Sequence, residues 1–471
     1  MEKYDVIVIG SGGGNHVVAG AAEAGMKTAL VEHGPAGGTC RNTGCIPSKT
    51  LIYPADAIRD FQDARAVGVN GTIDSVDFNL IMERMRYIVN KGRRDSEDLI
   101  NRFDNVTWYK ETGVFTGDHT LKAGDETITA PRIVIASGAR PAIPRIPGLT
   151  EAGFLDNVSV LKLEKQPKSL IMIGGGFIGC EYGHFFSAIG TDVTILGRAP
   201  LLLEHEDPEI SNIVMKALSR HMKVNTSHEA SRIAVEGGKK AVYAKNLADG
   251  KEYRYEADEI FLASGRKSNA DMLEPENAGV EMDKKGWIKV DEHLRTNKPG
   301  IYALGDATGR YMFRHTAIHE AFVVTANILH GDSQVFDTHA IPHAVFTHPQ
   351  VGGVGLLESE AVRAGHNILV GRARYIDVWK GYAMAEEDGL VKVIVNADTN
   401  QILGCSVVGK DAPNLVQQVE YLMNTDGQGL RTMKRSQVIH PTISEVIAKA
   451  FSSLEPRKAP AESPGMAEAP T

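Results

Sequence analysis

Two closely spaced cysteines are the first residues in this chain whose types and separation suggest chemistry. Cys40 and Cys45 lie in GGTCRNTGCIPSK with four residues between them, and Lys49 follows. Residues five positions apart on a regular helix are about 7.5 Å apart along its axis, whereas the Cα atoms of a disulfide are usually about 4.4 to 6.8 Å apart. The pair can therefore close only where the turn is distorted, and Gly44 gives the backbone that freedom. A small strained ring favours a disulfide that is repeatedly made and broken.

A metal site and a pair of inert buried thiols are the alternative interpretations of this segment. A metal site needs two more ligands nearby, and the remaining cysteines, Cys180 and Cys405, lie in unrelated segments. The redox interpretation is favoured, no metal is expected, and Cys180 and Cys405 are interpreted as small buried apolar residues.

A histidine and a carboxylate near the end of the chain form a second candidate group. HPTISE places His440 five residues before Glu445. An imidazole oriented by a carboxylate suits a general acid and base that protonates a departing thiolate and deprotonates an entering thiol. A lone histidine before proline is more often structural, but a dithiol elsewhere in the chain favours the catalytic interpretation.

The elements that must position these groups begin with a glycine-rich turn at the N-terminus. The apolar run YDVIVIG precedes Gly10, Gly12 and Gly14, and a helix of small residues follows. This pattern nearly fits a dinucleotide fingerprint, whose glycines allow a tight turn and close approach of the backbone to a pyrophosphate. Its third position is Asn15. Glu32, about 20 residues further on, should hold a ribose hydroxyl pair, although a glycine-rich turn alone could be purely structural.

The same pattern returns after Ser169, with Gly174, Gly176 and Gly179 between an apolar strand and a helix. Two such units predict two dinucleotide sites. The second unit ends at Arg198 where a carboxylate would be expected, so this arginine could meet a 2′-phosphate, which favours NADPH over NADH. An exposed arginine at a strand end is the alternative. ADEIFLASGR, which contains Gly265, echoes RIVIASGAR and supports an internal duplication.

Three further residues are assigned to cofactor sites from their positions. Asp306 follows an apolar strand in ALGDATG and could place a carboxylate against a cofactor hydroxyl. Lys49 and Glu181 each lie at the start of a small-residue helix beside a predicted cofactor site, so they are candidates for a buried ion pair. Without that context they would be ordinary surface charges.

Composition limits the class of protein. The chain has 471 residues, 42% of them apolar, which predicts about three domains of a soluble enzyme. Its formal net charge of -8 argues against nucleic acid as a partner. Four cysteines indicate a reducing compartment. The sequence contains no run of 18 apolar residues, so no membrane helix is predicted. The N-terminal apolar run lacks a basic segment before it and is interpreted as a buried strand rather than a signal peptide. A cytoplasmic location is expected.

In order and spacing, the motifs GGTCRNTGCIPSK, GGGFIGCE, ALGD, VFTHPQVGGVGL and HPTISE resemble those of the class I pyridine nucleotide-disulfide oxidoreductases. This flavoprotein family includes dihydrolipoamide dehydrogenase and mycothione reductase, and the resemblance runs from residue 3 to about 454. It implies a flavoprotein disulfide reductase of the α/β class. Two doubly wound domains would bind FAD (1–150 and 270–338) and NAD(P) (151–269), followed by a mixed α+β dimerisation domain (339–455) and a disordered tail (456–471).

The resemblance also implies residue roles. Cys45 would face the flavin and Cys40 would exchange with substrate, while His440 and Glu445 would come from the other subunit of a homodimer. The residues implied for FAD are Gly10, Gly12, Gly14, Glu32, Asp306 and Lys49, the last near the flavin N5 and paired to Glu181. Those implied for NADPH or NADH are Gly174, Gly176, Gly179 and Arg198, and Gly265 is also predicted to bind a cofactor.

The resemblance leaves the substrate within the family open. IPSK resembles dihydrolipoamide dehydrogenases, whereas GSGGGN, Arg198, SNADML and the YMFRH stretch resemble mycothione reductases. The family's NADPH enzymes usually carry a second basic residue where this chain has Glu204. Mercuric reductases and large thioredoxin reductases need a further cysteine pair near the C-terminus, and nothing after Cys405 supplies one.

The expected reaction passes electrons from NAD(P)H through FAD and a Cys40–Cys45 disulfide to a small disulfide, or in reverse from a dithiol such as dihydrolipoamide. The first alternative is a flavin-dependent NAD(P)H oxidase or quinone reductase that does not need the cysteines. A second is a non-catalytic FAD-binding subunit of a larger complex.

Overall fold

The computed structural model describes residues 1–427 and 429–457, which form two compact units. The first unit contains residues 1–65, 70–204 and 218–338; the second contains residues 66–69, 205–217 and the described residues from 339 onward. The helices, in chain order, are α1 (Gly14–Glu23), α2 (Gly38–Asn42), α3 (Cys45–Asp63), α4 (Phe78–Asn101), α5 (Leu149–Ala152), α6 (Phe177–Ala188), α7 (Pro208–Leu218), α8 (Arg314–His330), α9 (Glu358–Arg363), α10 (Trp379–Ala383), α11 (Ala412–Met423), α12 (Leu430–Arg435) and α13 (Glu445–Ser452).

A five-stranded parallel sheet is the centre of the first glycine-rich repeat. Its strands, in spatial order, are Ile301–Ala303, Arg132–Ile135, Val6–Ile9, Thr28–Val31 and Val106–Tyr109. Every residue of the two strands on either side of α1 in sequence is buried. The strands of a parallel sheet that is covered on both faces have continuous apolar sequences, which explains why the sequence pattern identified these strands.

A four-stranded parallel sheet is the centre of the second repeat. Its spatial order is Lys223–Asn225, Asp192–Leu196, Ser169–Ile173 and Glu259–Leu262. Gly10 and Gly174 follow equivalent strands with positive φ angles of 100° and 122°. A Cβ atom at either position would overlap the carbonyl oxygen of Ala136 or Ala263, respectively, at the end of the neighbouring strand. The turns after the first strand of each repeat therefore have the same backbone conformation, in agreement with the similarity of the two repeats in sequence.

Smaller sheets complete the first unit. A four-stranded sheet contains Glu2–Lys3, Glu126–Thr129, Thr120–Ala123 and Gly113–Gly117; an antiparallel sheet contains His228–Glu236, Lys239–Asn246 and Glu252–Ala257; and Ala139–Pro141 pairs with Arg266–Ser268. Both glycine-rich repeats lie in this one unit, so the boundaries expected near residues 150 and 269 remain predictions.

The second unit is built on a six-stranded antiparallel sheet. Its spatial order is Pro342–Val345, Val351–Gly355, Ile402–Val408, Leu390–Asn396, Ile368–Arg374 and Glu455–Pro456. Apolar side chains of this sheet pack with those of α11 and α13 in one buried cluster.

The first two residues of the tail predicted over 456–471 lie at the edge of the sheet of the second unit. Pro456 pairs with Leu369 at the sheet edge, and the N–H of Arg457 donates to the carbonyl oxygen of Ile368. Edge pairing is available to proline because its missing N–H can face away from the sheet. The rest of the predicted tail, residues 458–471, lies outside the described residues.

Candidate active site

The dithiol lies where two helices meet in the first unit. Cys40 is in α2, Cys45 is the first residue of α3, and the chain breaks the helical path at Gly44, with φ and ψ of -126° and -114°. A Cβ atom at Gly44 would lie 3.0 Å from the carbonyl oxygen of Thr39. This break brings the two thiols close enough for each to shift the pKa of the other.

The two thiols have opposite acidities. The hydrogen bond from Cys40, followed by the positive charge of Lys49, lowers the pKa of Cys45 to about 7. The same hydrogen bond, together with burial, raises the pKa of Cys40. The N-terminus of α3 also favours a thiolate at Cys45, because helix N–H groups point toward it. In the reduced pair Cys45 is therefore the thiolate and Cys40 the proton donor.

Lys49 and Glu181 form the ion pair that the sequence suggests. The Nζ atom of Lys49 lies 2.9 and 2.7 Å from the two carboxylate oxygens of Glu181, whose residue is only 5% exposed. Lys49 is one turn after Cys45 on α3, and Glu181 is in the second turn of α6. The pair holds a positive charge beside the dithiol at a fixed position.

A second link between these helices was missed by sequence reasoning. His184 Nε2 lies 2.8 Å from Asp56 Oδ1, and the Arg59 guanidinium donates to Ser187 Oγ at 3.1 Å. The helical spacing could have indicated these contacts. Asp56 and Arg59 are seven and ten residues after Lys49 on α3, and His184 and Ser187 are three and six residues after Glu181 on α6, so both contacts lie on the facing sides of the two helices.

The first glycine-rich loop and Glu32 are brought together. Glu32 Oε2 accepts hydrogen bonds from the Ser11 N–H at 2.9 Å and the Ser11 hydroxyl at 2.8 Å, and Oε1 accepts from the Gly34 N–H. The loop runs through Gly10, Gly12 and Gly14 into α1, whose first turn, within Gly14–Glu23, has no acidic side chain. An N-terminal turn without negative charge and a carboxylate at the next strand end fit a dinucleotide.

Asp306 lies at the other edge of this region, in the turn Gly305–Thr308. Burial raises its pKa, while the charge of Arg266 opposes that effect. Its neighbour Glu320 on α8 is fully buried and accepts a hydrogen bond from the Gly305 N–H. Burial raises the pKa of Glu320 to about 7. Sequence reasoning missed Glu320, because a glutamate within a predicted helix is expected to be exposed to solvent.

The second glycine-rich loop has the geometry of the first. Gly174 and Gly176 precede α6, and a Cβ atom at Gly179 would overlap the carbonyl oxygen of Gly174. Gly265 has φ of 110° just after strand Glu259–Leu262. Arg198 is 78% exposed at its side chain, and its Nε lies 3.3 Å from Glu229. Arg198 lies just after the end of a strand, which agrees both with a ligand for a 2′-phosphate and with an exposed surface arginine.

His440 and Glu445 form a pair in the second unit. His440 Nδ1 lies 2.8 Å from Glu445 Oε1, and the other carboxylate oxygen accepts from the Thr442 N–H at 3.2 Å. The hydrogen bond from His440 lowers the pKa of Glu445. The imidazole is 62% exposed at its side chain. Its orientation leaves Nε2 as the ring atom available for proton transfer.

Comparisons with known proteins identify the family. A pyridine nucleotide-disulphide oxidoreductase family model matches residues 4–321, and the dimerisation domain of the same family matches residues 341–451. The chain belongs to this family. The resemblance inferred from the motifs is thereby confirmed, together with the α/β fold of two dinucleotide-binding domains and a C-terminal domain.

Relatives and solved structures narrow the class of reaction. A mycothione reductase of Mycobacterium tuberculosis is 35% identical over 96% of this chain and all of its own length, and a dihydrolipoyl dehydrogenase of Chlamydia muridarum is 32% identical over 95% of this chain and 96% of its own. A solved Cu(II) complex of the HOCl-induced flavoprotein disulfide reductase RclA from Escherichia coli superposes with a TM-score of 0.85 at 28% identity, covering 96% of this chain and 99% of that one.

These findings confirm the predicted activity at the level of the family. The chain is an FAD-dependent disulfide oxidoreductase that uses NAD(P)H. The alternative of an oxidase or quinone reductase that does not need cysteines is not favoured. In the part of the chain that the structure describes, no helix is long and apolar enough to cross a membrane.

Proposed function

We propose that Cys40 and Cys45 are the redox couple of this enzyme, with Cys40 exchanging with a small disulfide and Cys45 facing the flavin. The observation that carries this proposal is the break in the chain at Gly44, which separates Cys40 in α2 from Cys45 at the start of α3, one turn before the Lys49–Glu181 ion pair. The pKa of Cys45, lowered to about 7 by its interaction with Cys40, supports it. When bound, FAD supplies the transfer of an electron pair between NAD(P)H and this dithiol.

Substrate reduction needs a base, because the pKa of the Cys40 thiol is raised. Cys40 loses its proton to His440 and attacks one sulfur of the substrate disulfide, which forms a mixed disulfide and releases the first thiolate. His440 returns the proton to that leaving thiolate. The Cys45 thiolate then attacks the Cys40 sulfur, which forms the Cys40–Cys45 disulfide and releases the second thiolate. The substrate is reduced by one electron pair and the dithiol is oxidised by the same pair.

The cofactor residues of this proposal are those of the two loops. FAD is held by Gly10, Gly12, Gly14, Glu32, Lys49 and Asp306, and NADPH or NADH by Gly174, Gly176, Gly179, Glu181, Arg198 and Gly265. Arg198 favours NADPH, since a guanidinium can bind a 2′-phosphate in a bidentate way. Glu229 beside it and Glu204 further along oppose that preference.

The proposed assembly is a cytoplasmic homodimer whose active site is shared between subunits. His440 and Glu445 act on the dithiol of the partner subunit, and residues 339–455 provide the interface. The dimerisation-domain match supports the dimer. The two relatives support mycothione or lipoamide as the kind of small disulfide to test first.

Substitution of Cys40 by serine tests this function. Steady-state turnover is measured with NADH or NADPH and with lipoamide, glutathione disulfide and mycothione. Cys40→Ser is expected to lose disulfide turnover with every substrate while it keeps bound FAD and its reduction by NAD(P)H. In an anaerobic dithionite titration the wild type should take up one electron pair in the dithiol in addition to the flavin pair, and the variant only the flavin pair. Full disulfide turnover in Cys40→Ser would refute the proposal.

A further inference from the structure

The two glycine-rich repeats differ in the residue that follows their second strand. In the first repeat the carbonyl oxygen of Val31 accepts a hydrogen bond from the N–H of the first loop glycine, and Glu32 comes next. In the second repeat the carbonyl oxygen of Leu196 accepts the corresponding hydrogen bond, also at 2.9 Å, and Gly197 comes next. Gly197 therefore occupies the position of the ribose carboxylate in the second repeat, and Arg198 comes one residue later.

An apolar side chain fills the space beside this position. Leu202 is fully buried, and its Cδ2 atom would lie 2.7 Å from a Cβ atom at Gly175 and 3.7 Å from one at Gly197. The residue of the first repeat that corresponds to Gly175 is Ser11, whose N–H and hydroxyl donate to Glu32. A polar contact of the first loop is thus replaced by an apolar one in the second, so a carboxylate for the second ribose has to come from another segment.

A neighbouring segment places a carboxylate at this strand end. The His228 N–H donates to the carbonyl oxygen of Gly197 at 2.8 Å, which holds the chain beside the end of the strand. The next residue, Glu229, places Oε1 at 3.3 Å from the Nε atom of Arg198. The side chains of Arg198 and Glu229 are 78% and 49% exposed, so both are accessible to a ligand. The charge at this strand end is therefore that of an ion pair, and not that of an arginine alone.

The ion pair changes which coenzyme this arginine favours. A phosphate monoester carries about 1.5 to 2 negative charges near neutral pH. A 2′-phosphate would therefore compete with Glu229 for the guanidinium and would also be repelled by that carboxylate. An unphosphorylated ribose meets no such repulsion, and its hydroxyls can donate hydrogen bonds to a carboxylate.

We propose that Glu229 selects the coenzyme: held by Arg198, it accepts hydrogen bonds from the ribose hydroxyls and disfavours a 2′-phosphate, so that the enzyme prefers NADH to NADPH. This inference rests on the proposed function, in which the coenzyme binds at the second glycine-rich loop. It reverses the preference that Arg198 alone suggests, because the sequence does not show that a carboxylate of strand His228–Glu236 reaches this arginine.

Binding of the oxidised coenzymes tests the proposal without turnover. NAD⁺ and NADP⁺ differ only in the 2′-phosphate, and calorimetric titration of the oxidised holoenzyme with each gives the two dissociation constants. The wild type should bind NAD⁺ at least about threefold more tightly than NADP⁺. Glu229→Gln should tighten NADP⁺ binding about tenfold and weaken NAD⁺ binding about threefold, which reverses the order. The gain for NADP⁺ should shrink as ionic strength rises, because the charges are exposed.

Two further variants assign the effect to this ion pair. In the double variant of Glu229→Gln and Arg198→Gln the tighter binding of NADP⁺ should disappear, because the guanidinium released by the first substitution is absent. Glu236→Gln is the matched control, since it removes an exposed carboxylate that pairs with an arginine at the other end of the same strand. That end is about 20 Å away, so both dissociation constants should stay at their wild-type values.

Three results would overturn the proposal. They are tighter binding of NADP⁺ than of NAD⁺ by the wild type, an unchanged ratio of the two dissociation constants in Glu229→Gln, and an equal change of that ratio in Glu236→Gln.

Failure of the proposed function is distinguishable from these results. Retained disulfide turnover in Cys40→Ser would refute the role of the dithiol and leave the choice of coenzyme as proposed. Binding of both coenzymes that Gly174→Ala does not weaken would refute the site at the second glycine-rich loop, and the inference with it.

Discussion

At the scale of single residues, the acidity of Cys45 depends on the charge of Lys49. Removal of that charge in Lys49→Met should disfavour the thiolate, because an opposite charge nearby stabilises the ionised form. We expect the pKa of Cys45 to rise and the thiolate fraction near neutral pH to fall about fivefold. Thiolate absorbance against pH in the reduced protein measures this change. Lys91→Met, which removes an exposed pair with Asp95, should leave the curve unmoved.

Glu320 gives a second prediction at this scale. Its pKa is raised by burial to about 7, so the folded protein holds this proton more tightly than the unfolded chain. Its contribution to stability is complete below the unfolded pKa and is lost as pH rises through about 7. Glu320→Gln, which keeps an acceptor for the Gly305 N–H, should flatten this dependence and gain up to about 3 kcal/mol above neutral pH. Denaturant unfolding at pH values on both sides of 7 measures it; parallel curves for wild type and variant would contradict it.

At the scale of elements, each glycine-rich turn is determined by contact with the neighbouring strand. Gly174→Ala places a Cβ atom against the Ala263 carbonyl at a φ of 122°, so the turn before α6 must move. We expect reduction by NAD(P)H to slow at least about a hundredfold, while dithionite still reduces flavin and dithiol. Rapid-mixing absorbance at the flavin band measures the step.

Gly190→Ala is the matched control for this turn. Gly190 has φ of 100° after the same helix, but an added Cβ atom would meet only the Gln166 side chain, 4.0 Å away. Gly190→Ala therefore destabilises the backbone at a positive φ, as Gly174→Ala does, but introduces no overlap with a carbonyl oxygen. Equal slowing of reduction in both variants would show that general destabilisation, and not the turn, limits the reaction.

At the scale of the whole molecule, the proposed dimer makes a prediction about mixed subunits. If His440 serves the dithiol of its partner, a hybrid of Cys40→Ser and His440→Gln subunits contains one intact site and one doubly altered site. Equal mixing should therefore restore about a quarter of wild-type turnover from two inactive parents, since half of the dimers are hybrids with one working site each. Turnover after refolding of the mixture measures this. Failure to restore activity, with hybrids shown by mass, would place both residues in one subunit's site.

Local patterns in the sequence account for much of this protein. The buried strands Val6–Ile9 and Ser169–Ile173 are continuous apolar runs in the sequence. Glycines follow them at positions where no Cβ atom fits. Both the burial of these strands and the steric limits of these turns could therefore be predicted from the sequence. The dithiol was also predictable, because Cys40, Gly44 and Cys45 lie within one short segment and the break in the helix is local.

Apart from the Lys49–Glu181 pair, which the sequence suggested, only the tertiary structure revealed which distant charged residues are in contact. The pairing of Asp56 with His184 spans 128 residues of sequence, and the burial of Glu320 depends on packing of α8 beside the Gly305 turn. Arg314 reaches His16 across 298 residues. A charged residue in a sequence does not reveal whether it is solvated or buried, because its free energy depends on neighbours that only the folded chain supplies. For that reason the sequence motifs indicated the chemistry of the dithiol, whereas the packing of α3, α6 and α8 determined which charged residues surround it and how deeply they are buried.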